Sequence, residues 1–301
     1  MSSLPGRLLA IEKGIKDVWE LELAGNGRPR RLGTLRGFGR SRAVASAAHD
    51  GLLGVLDVAG GLSVLRAESP TAGMRVPLHV SPGTSPVALL AVADSGWVIA
   101  EQRSSIDARG RVRDSALFVR VTGAGAQKLE WATERVGPDR QEALLSDYFT
   151  ANAYDDTVVA TFADPPRIVL WRVGASDSRR EFALRNSPRR PMSRRDRSDI
   201  ERALTASHHL GGRSAYEYPP IAGARPRGRG WFVVGGAGRQ RFALDFYCDE
   251  TFKETLLDHE SITKVVLLDS AAVVMREDSV AGRLRVEVYP YRAFAVGCPS
   301  P

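Results

Sequence analysis

The chain has 301 residues, 43% of them hydrophobic and 26% charged, which excludes global disorder and describes a soluble globular protein able to bury a large core. Its net charge is +7, and because +5 of it falls in one segment at 179–202 the rest is nearly neutral, which excludes the distributed basic field of a nucleic-acid groove. No apolar run reaches the roughly 20 residues of a membrane span, and "LLAI" at 8–11 is too short for the apolar core of an export signal. The expected location is the cytoplasm, with any membrane link peripheral.

Along the chain a short unit recurs: a turn with Asp, Gly or Ser, an apolar strand, a second turn and a return strand. The units are "EKGIKDVWELEL", "HDGLLGVLDVAGGLSVLRA", "DSGWVIAEQR…RDSALFVRVTG", "YDDTVVATFADPPRIVLWRVG", "GRGWFVVGGAGRQRFALDFYCDE" and "LDSAAVVMREDSVAGRLRVEVYPY". Each reads as a β-hairpin. In the fourth, 157–162 is apolar and β-branched, "ADPP" is a turn, and 168–173 returns. In the sixth, 271–275 is followed by a charged loop and by 284–289, whose strict alternation predicts half-buried strands. Weaker strands, "AVASAAH", "PVALLAV", "YFTANAY" and "ITKVVLL", stand directly before later units. A first strand, a hairpin and an outer strand make a four-stranded sheet of roughly 40 to 50 residues, one propeller blade. Six units predict an all-β, six-bladed β-propeller in a single domain over 1–294, with a tail at 295–301.

The C-terminal third carries a family resemblance. "YEYPPIAGARPRGRGWFVVGG…RFALDFYCDETFKETLLD" resembles the penultimate blade of bacterial six-bladed propellers of the NHL/YVTN-like kind, and "ITKVVLLDSAAVVMREDSVAGRLRVEVYPY" is similar to their last blade. "RRPMSRRDRSDIERAL" resembles the helical insertion that often precedes that pair. The resemblance covers most of the chain and is looser in the first two blades. It implies the fold; it implies no activity, since propellers host enzymes, binders and scaffolds alike.

No specific catalytic constellation is present. The five histidines, His49, His79, His208, His209 and His259, lack the spacing of a zinc site. "VVGGAGRQ" at 233–240 has no Lys-Ser/Thr and sits inside a hairpin, so it reads as a tight turn rather than a phosphate loop. Asp50, Asp94, Asp155 and Asp269 stand at strand starts, where Asp bonds its own backbone; the competing reading rings a central channel with them, as in propeller hydrolases. Cys248 and Cys298 read as unrelated thiols, the first packed and the second exposed. Trp19, Trp97, Trp171 and Trp231 read as packing between blades, whereas Trp131 falls in a long connection between blades. Neither a cofactor nor a metal is expected.

One segment stands apart. Between Arg179 and Arg202 nine arginines face four acids, a net +5, and the rest of the chain holds 33 basic and 31 acidic residues. Ser193 with Asp196 suggests a capping box, and Ile200, Ala203 and Leu204 share a face. A short basic helical insertion over about 188–210, before the fifth blade, is expected. Arg189, Arg190, Arg194, Arg195, Arg197 and Arg202, joined by Arg225, Arg227 and Arg229 of "ARPRGRG" on the same rim, are the candidate partner-binding residues. Arginine without lysine suits protein interfaces and, near an anionic leaflet, a membrane surface. No aromatic lies among these arginines to stack on bases, which disfavours nucleic acid. The expected function is therefore a non-catalytic interaction or scaffold module docking onto a larger protein complex. A membrane-extrinsic structural subunit of a bioenergetic assembly, respiratory or photosynthetic, is one such role. The alternatives are a hydrolase or lactonase-type enzyme and a nucleic-acid binder.

Overall fold

The computed structural model describes residues 2–4, 7–11, 17–22, 29–35, 43–49, 51–57, 61–66, 68–78, 84–92, 96–106, 108, 112–122, 127–136, 149–163, 165–188, 221–236, 242–259, 261–278 and 283–299. These residues form six antiparallel sheets, each built from consecutive strands. Blade 1 is β1 (Ser2–Leu4), β2 (Arg7–Ile11), β3 (Asp17–Glu22) and β4 (Arg30–Thr34). Blade 2 is β5 (Ala43–His49), β6 (Leu52–Asp57), β7 (Gly61–Arg66) and β8 (Ser69–Pro77). Blade 3 is β9 (Thr84–Val92), β10 (Gly96–Ile106), β11 (Val112–Val121) and β12 (Gln127–Val136). Blade 4 is β13 (Phe149–Tyr154), β14 (Thr157–Ala163), β15 (Pro166–Arg172) and β16 (Arg180–Ala183). Blade 5 is β17 (Ile221–Arg227), β18 (Gly230–Gly236), β19 (Phe242–Cys248) and β20 (Thr251–Asp258). Blade 6 has three strands among the described residues, β21 (Ile262–Leu267), β22 (Ala271–Asp278) and β23 (Arg283–Pro290).

Side-chain packing closes these sheets into a ring. The first strands of successive blades touch one another, from β1 and β5 through β17 and β21, so they surround the axis. Between each pair of neighbouring blades lies one apolar cluster. Leu9, Val18, Leu53 and Val55 join blades 1 and 2. Leu56, Leu62, Trp97 and Ile99 join blades 2 and 3. Phe118, Phe149, Phe162 and Trp171 join blades 3 and 4. Val159, Ile168, Trp231 and Tyr247 join blades 4 and 5. Phe232, Phe246, Val274 and Tyr291 join blades 5 and 6. Leu8 meets Leu268, Val273 and Met275 to join blade 6 back to blade 1. Six clusters for six sheets make a closed six-bladed β-propeller.

The alternation of side chains explains the sequence pattern. Trp97 and Ile99 point to blade 2, while Val98 and Ala100 point to blade 4. Both faces of a second strand are therefore buried, and "WVIA", "TVVATF" and "WFVV" read as continuous apolar runs rather than strict alternation. In the third strand of blade 6, β23, Arg285 is exposed and Val286 partly buried as alternation predicts, but Val288, on the expected apolar face, is exposed as well.

Other expectations are corrected. The stretch around Trp131 is the outer strand β12, not a connection, and Trp131 stacks on Phe118 at 5.3 Å and lies 5.1 Å from Trp171. Cys248 and Cys298 are bonded to each other, with Cα atoms 5.4 Å apart. Cys298 is half-buried, because the chain after β23 turns back across blade 5, where Phe294, Val296 and Cys298 pack on the cluster between blades 5 and 6. Residues 189–210 of the expected helical insertion lie outside the described residues; Pro188, at its start, has no regular structure.

Candidate interaction surface

Strands alternate in direction, so the turns between first and second strands emerge on the same face as those between third and fourth. On this face, three two-residue turns lie wholly among the described residues, Asp155-Asp156, Gly228-Arg229 and Asp249-Glu250. Their first residues have φ of 52°, 59° and 50°, a left-handed conformation that Gly takes freely and Asp tolerates. The sequence motifs "YDDT", "RGRG" and "CDET" are thus one device used three times.

Arg225, Arg227 and Arg229 project from the end of β17 and its turn, with distinct surroundings. The Arg225 guanidinium lies 3.9 Å from the centre of the Tyr154 ring and 2.8 Å from Asp269. Its side chain is only 16% exposed, so it ties blade 5 to blades 4 and 6. Burial pushes the pKa of the Tyr154 hydroxyl up. Tyr154 therefore remains a donor, and it donates to the Ala224 carbonyl at 2.9 Å. Arg229 forks onto Asp249, Nε to Oδ1 at 3.2 Å and Nη2 to Oδ2 at 2.7 Å, the bidentate geometry arginine favours. Arg227 is exposed, sits 5.7 Å from the centre of the Phe232 ring, and has no carboxylate partner among the described residues.

The described start of the basic segment meets this turn. After β16 the backbone crosses to blade 5: Arg185 N–H donates to the Glu250 carbonyl at 2.7 Å, and Phe252 N–H donates to the Arg185 carbonyl at 3.1 Å. The Arg185 guanidinium pairs with the Glu250 carboxylate at 3.1 Å, and Tyr247 donates to the Ser187 hydroxyl at 3.0 Å. Arg185 on Glu250 therefore stands next to Arg229 on Asp249. The chain that continues into Arg189, Arg190, Arg194, Arg195, Arg197 and Arg202 leaves from this rim; those six residues lie outside the described residues. Arg179 and Arg180, exposed after the 3-10 turn at 176–178, extend the rim onto blade 4, with Arg179 5.8 Å from the centre of the Trp131 ring.

Asp156, Asp249, Glu250 and Asp269 on this face each pair with an arginine. Arg172 holds Asp156 at 2.6 Å, and together with Thr157 it keeps the Asp156 carboxyl below the usual carboxylate range. Asp155 occupies a turn position and the Asp269 carboxylate pairs with Arg225; Asp50 and Asp94 lie outside the described residues. Among the described residues no three His, Cys, Asp or Glu side chains converge in a way that would hold a metal ion. Sequence reasoning missed Tyr154, Asp249, Glu250 and Asp269 as partners of the arginines. The repeated "D-D" and "D-E" turns were the available signal.

No family model matches the chain, and no curated protein does. Solved structures similar to it include Sqt1 of Saccharomyces cerevisiae, at 12% identity over 95% of this chain and 83% of that one, with a TM-score of 0.42. YCF48 bound to a D1 peptide aligns at 9% identity over 94% and 89%, TM-score 0.43. The computationally designed Ika8 aligns at 14% identity over 93% and 82%, TM-score 0.40. The propeller assignment itself rests on the six sheets and the closed ring of cores.

Proposed function

We propose that this propeller is a non-catalytic interaction module that docks an acidic protein surface through the arginine-bearing rim of blades 4 and 5. The observation that carries this reading is the pinning of Arg185 beside Arg229. It fixes the root of the arginine-rich segment next to exposed Arg227 and Arg229. Arg225 serves the fold, so the docking arginines are Arg227, Arg229 and those of the 189–202 segment. A rigid ring that presents guanidinium groups on one rim offers bidentate contacts to carboxylates at little ordering cost.

In this reading the protein is a structural subunit of a larger assembly, membrane-extrinsic where that assembly sits at an anionic membrane. No helix of the described residues is long and apolar enough to cross a membrane. The Cys248–Cys298 bond favours an oxidising compartment over the cytoplasm suggested by the sequence. The test is gentle purification from the native host with chemical crosslinking, for the wild type, for Arg227→Glu, and for a quadruple Arg-to-Glu change at Arg190, Arg194, Arg195 and Arg197. Crosslinks are expected on blades 4 and 5, and both variants are expected to lose the partner. An association that survives both charge reversals sinks the proposal.

A further inference from the structure

Outer strands of a sheet carry unpaired N–H and C=O groups, and proteins blunt them with bulges, brevity or charge. Five blades of this propeller do so. The pairings of β4, β8, β12 and β20 onto their neighbours are all broken by register shifts, and β16 has only 4 residues. Blade 6 does not. Its outermost described strand, β23, has 8 residues, and it pairs with β22 in an unbroken register from Ala271↔Pro290 to Asp278↔Arg283. Among the described residues no strand pairs with its outer edge. Arg285 is 77% exposed and Val288 38%, so both side chains are open to solvent.

The charges on this edge, together with Pro290, favour one partner register. In a two-fold antiparallel pairing of β23 with itself, opposed residues must share a face, so the centre falls on a residue. Centring on Arg285 opposes two arginines, and centring on Glu287 opposes two glutamates. Centring on Val286 places Arg285 opposite Glu287 twice, and leaves Pro290, which could not donate to a ladder, just beyond the paired stretch. The carboxylate is already positioned. Glu287 Oε2 accepts from Arg276 at 2.8 Å and from the Tyr289 hydroxyl at 2.6 Å, while Oε1 is held, among the described residues, only by its own exposed Arg285 at 3.0 Å. Oε1 is thus the oxygen open to a second guanidinium. The neighbouring blades stand a sixth of a turn away around the ring, so their outer strands fall behind this edge.

We propose that the protein forms a two-fold dimer by edge-to-edge pairing of β23 with β23 of a second copy, centred on Val286 and clamped by two Arg285–Glu287 ion pairs. The third strands then join the two blades into one continuous sheet. This face is separate from the blade 4 and 5 rim, so the dimer and the docking function stand or fall independently.

Sedimentation velocity of the full chain over a concentration series tests it. The wild type is expected to show a reversible monomer–dimer equilibrium. Arg285→Glu is expected to weaken it about tenfold or more, because two attractive cross-strand pairs become two like-charge pairs. Glu287→Arg alone is expected to do the same. An equimolar mixture of the two variants is expected to dimerise again, since one chain then brings two carboxylates to the seam and the other brings two guanidinium groups, which restores both opposite-charge pairs. A wild type that stays monomeric at every concentration overturns the proposal, as does an Arg285→Glu variant that dimerises like the wild type. Arg285 lies outside every core cluster, so that variant is decisive even where Glu287→Arg fails to fold.

Discussion

Reduction of the Cys248–Cys298 bond is expected to loosen the ring at one identifiable seam. The two cysteines are 50 residues apart, and the loop they close contains the whole of blade 6. On its other side blade 6 meets blade 1 through the smallest apolar cluster among the described residues, Leu8 with Leu268, Val273 and Met275. No described strand is shared between those two blades, so side-chain packing and the bond to blade 5 hold blade 6 in place. Closing a loop of that length stabilises the fold by about 4 kcal/mol in the chain-entropy account. With an unfolding entropy of about 2.1 cal/mol/K per residue over 301 residues, losing it lowers Tm by about 6 °C. The assay is calorimetry of the wild type with and without reductant, and of Cys298→Ser in both conditions. Reduced wild type and Cys298→Ser are expected to melt together, below the oxidised protein, and hydrogen exchange in that pair is expected to quicken in β21 to β23. Two titratable thiols in the air-purified native protein, or a melting temperature indifferent to reductant, would refute the reasoning.

Three further outcomes are expected. Gly54→Ala is destabilising by about 1–3 kcal/mol, because a Cβ there would come within 2.6 Å of the Trp97 ring in the core between blades 2 and 3; an unchanged urea midpoint contradicts it. Tyr154→Phe removes the donor to the Ala224 carbonyl and costs about 1–3 kcal/mol in urea unfolding, with no effect on partner binding. Glu101 has the opposite sign from the paired acids. Burial pushes its carboxyl above 4.5, against a smaller opposing hydrogen bond from Thr84, so its folded form favours the proton. Its contribution is favourable below the unfolded value and is lost as pH rises through the folded one. Glu101→Gln is therefore expected to be more stable than the wild type at neutral pH and equal to it in acid; a variant weaker at neutral pH refutes this.

Much of the ring was legible because each blade repeats a local pattern. "AVASAAH" is β5 residue for residue, and "YFTANAY" and "ITKVVLL" each overrun their strand by one residue, β13 beginning at Phe149 and β21 ending at Leu267. The turn aspartates at 155 and 249 announce left-handed positions that few other residues tolerate. What stayed hidden depends on distance along the chain. Cys248 and Cys298 meet only because the chain after β23 folds back over blade 5, and no spacing rule encodes that path. Trp131 looked like loop because its strand is outer and amphipathic, with Lys128, Glu130 and Glu134 around it; its burial comes from Phe118 and Trp171 on other strands.

The arginines show the same limit from the functional side. Composition places Arg225, Arg227 and Arg229 in one group, since they alternate along one short stretch of chain. Structure separates them by how far each lies from the end of β17, since positions two apart on a strand share one face. Arg225 meets Tyr154 and Asp269, two side chains from flanking blades, and becomes a tie between three blades. Arg229 lies past the strand end, where only the adjacent turn can reach it, and Asp249 does so without burying it. A charge reversal at Arg225 should therefore lower stability first, and one at Arg227 should affect docking alone. Net charge counts these residues alike; their position relative to the end of β17 decides which of them a partner can reach.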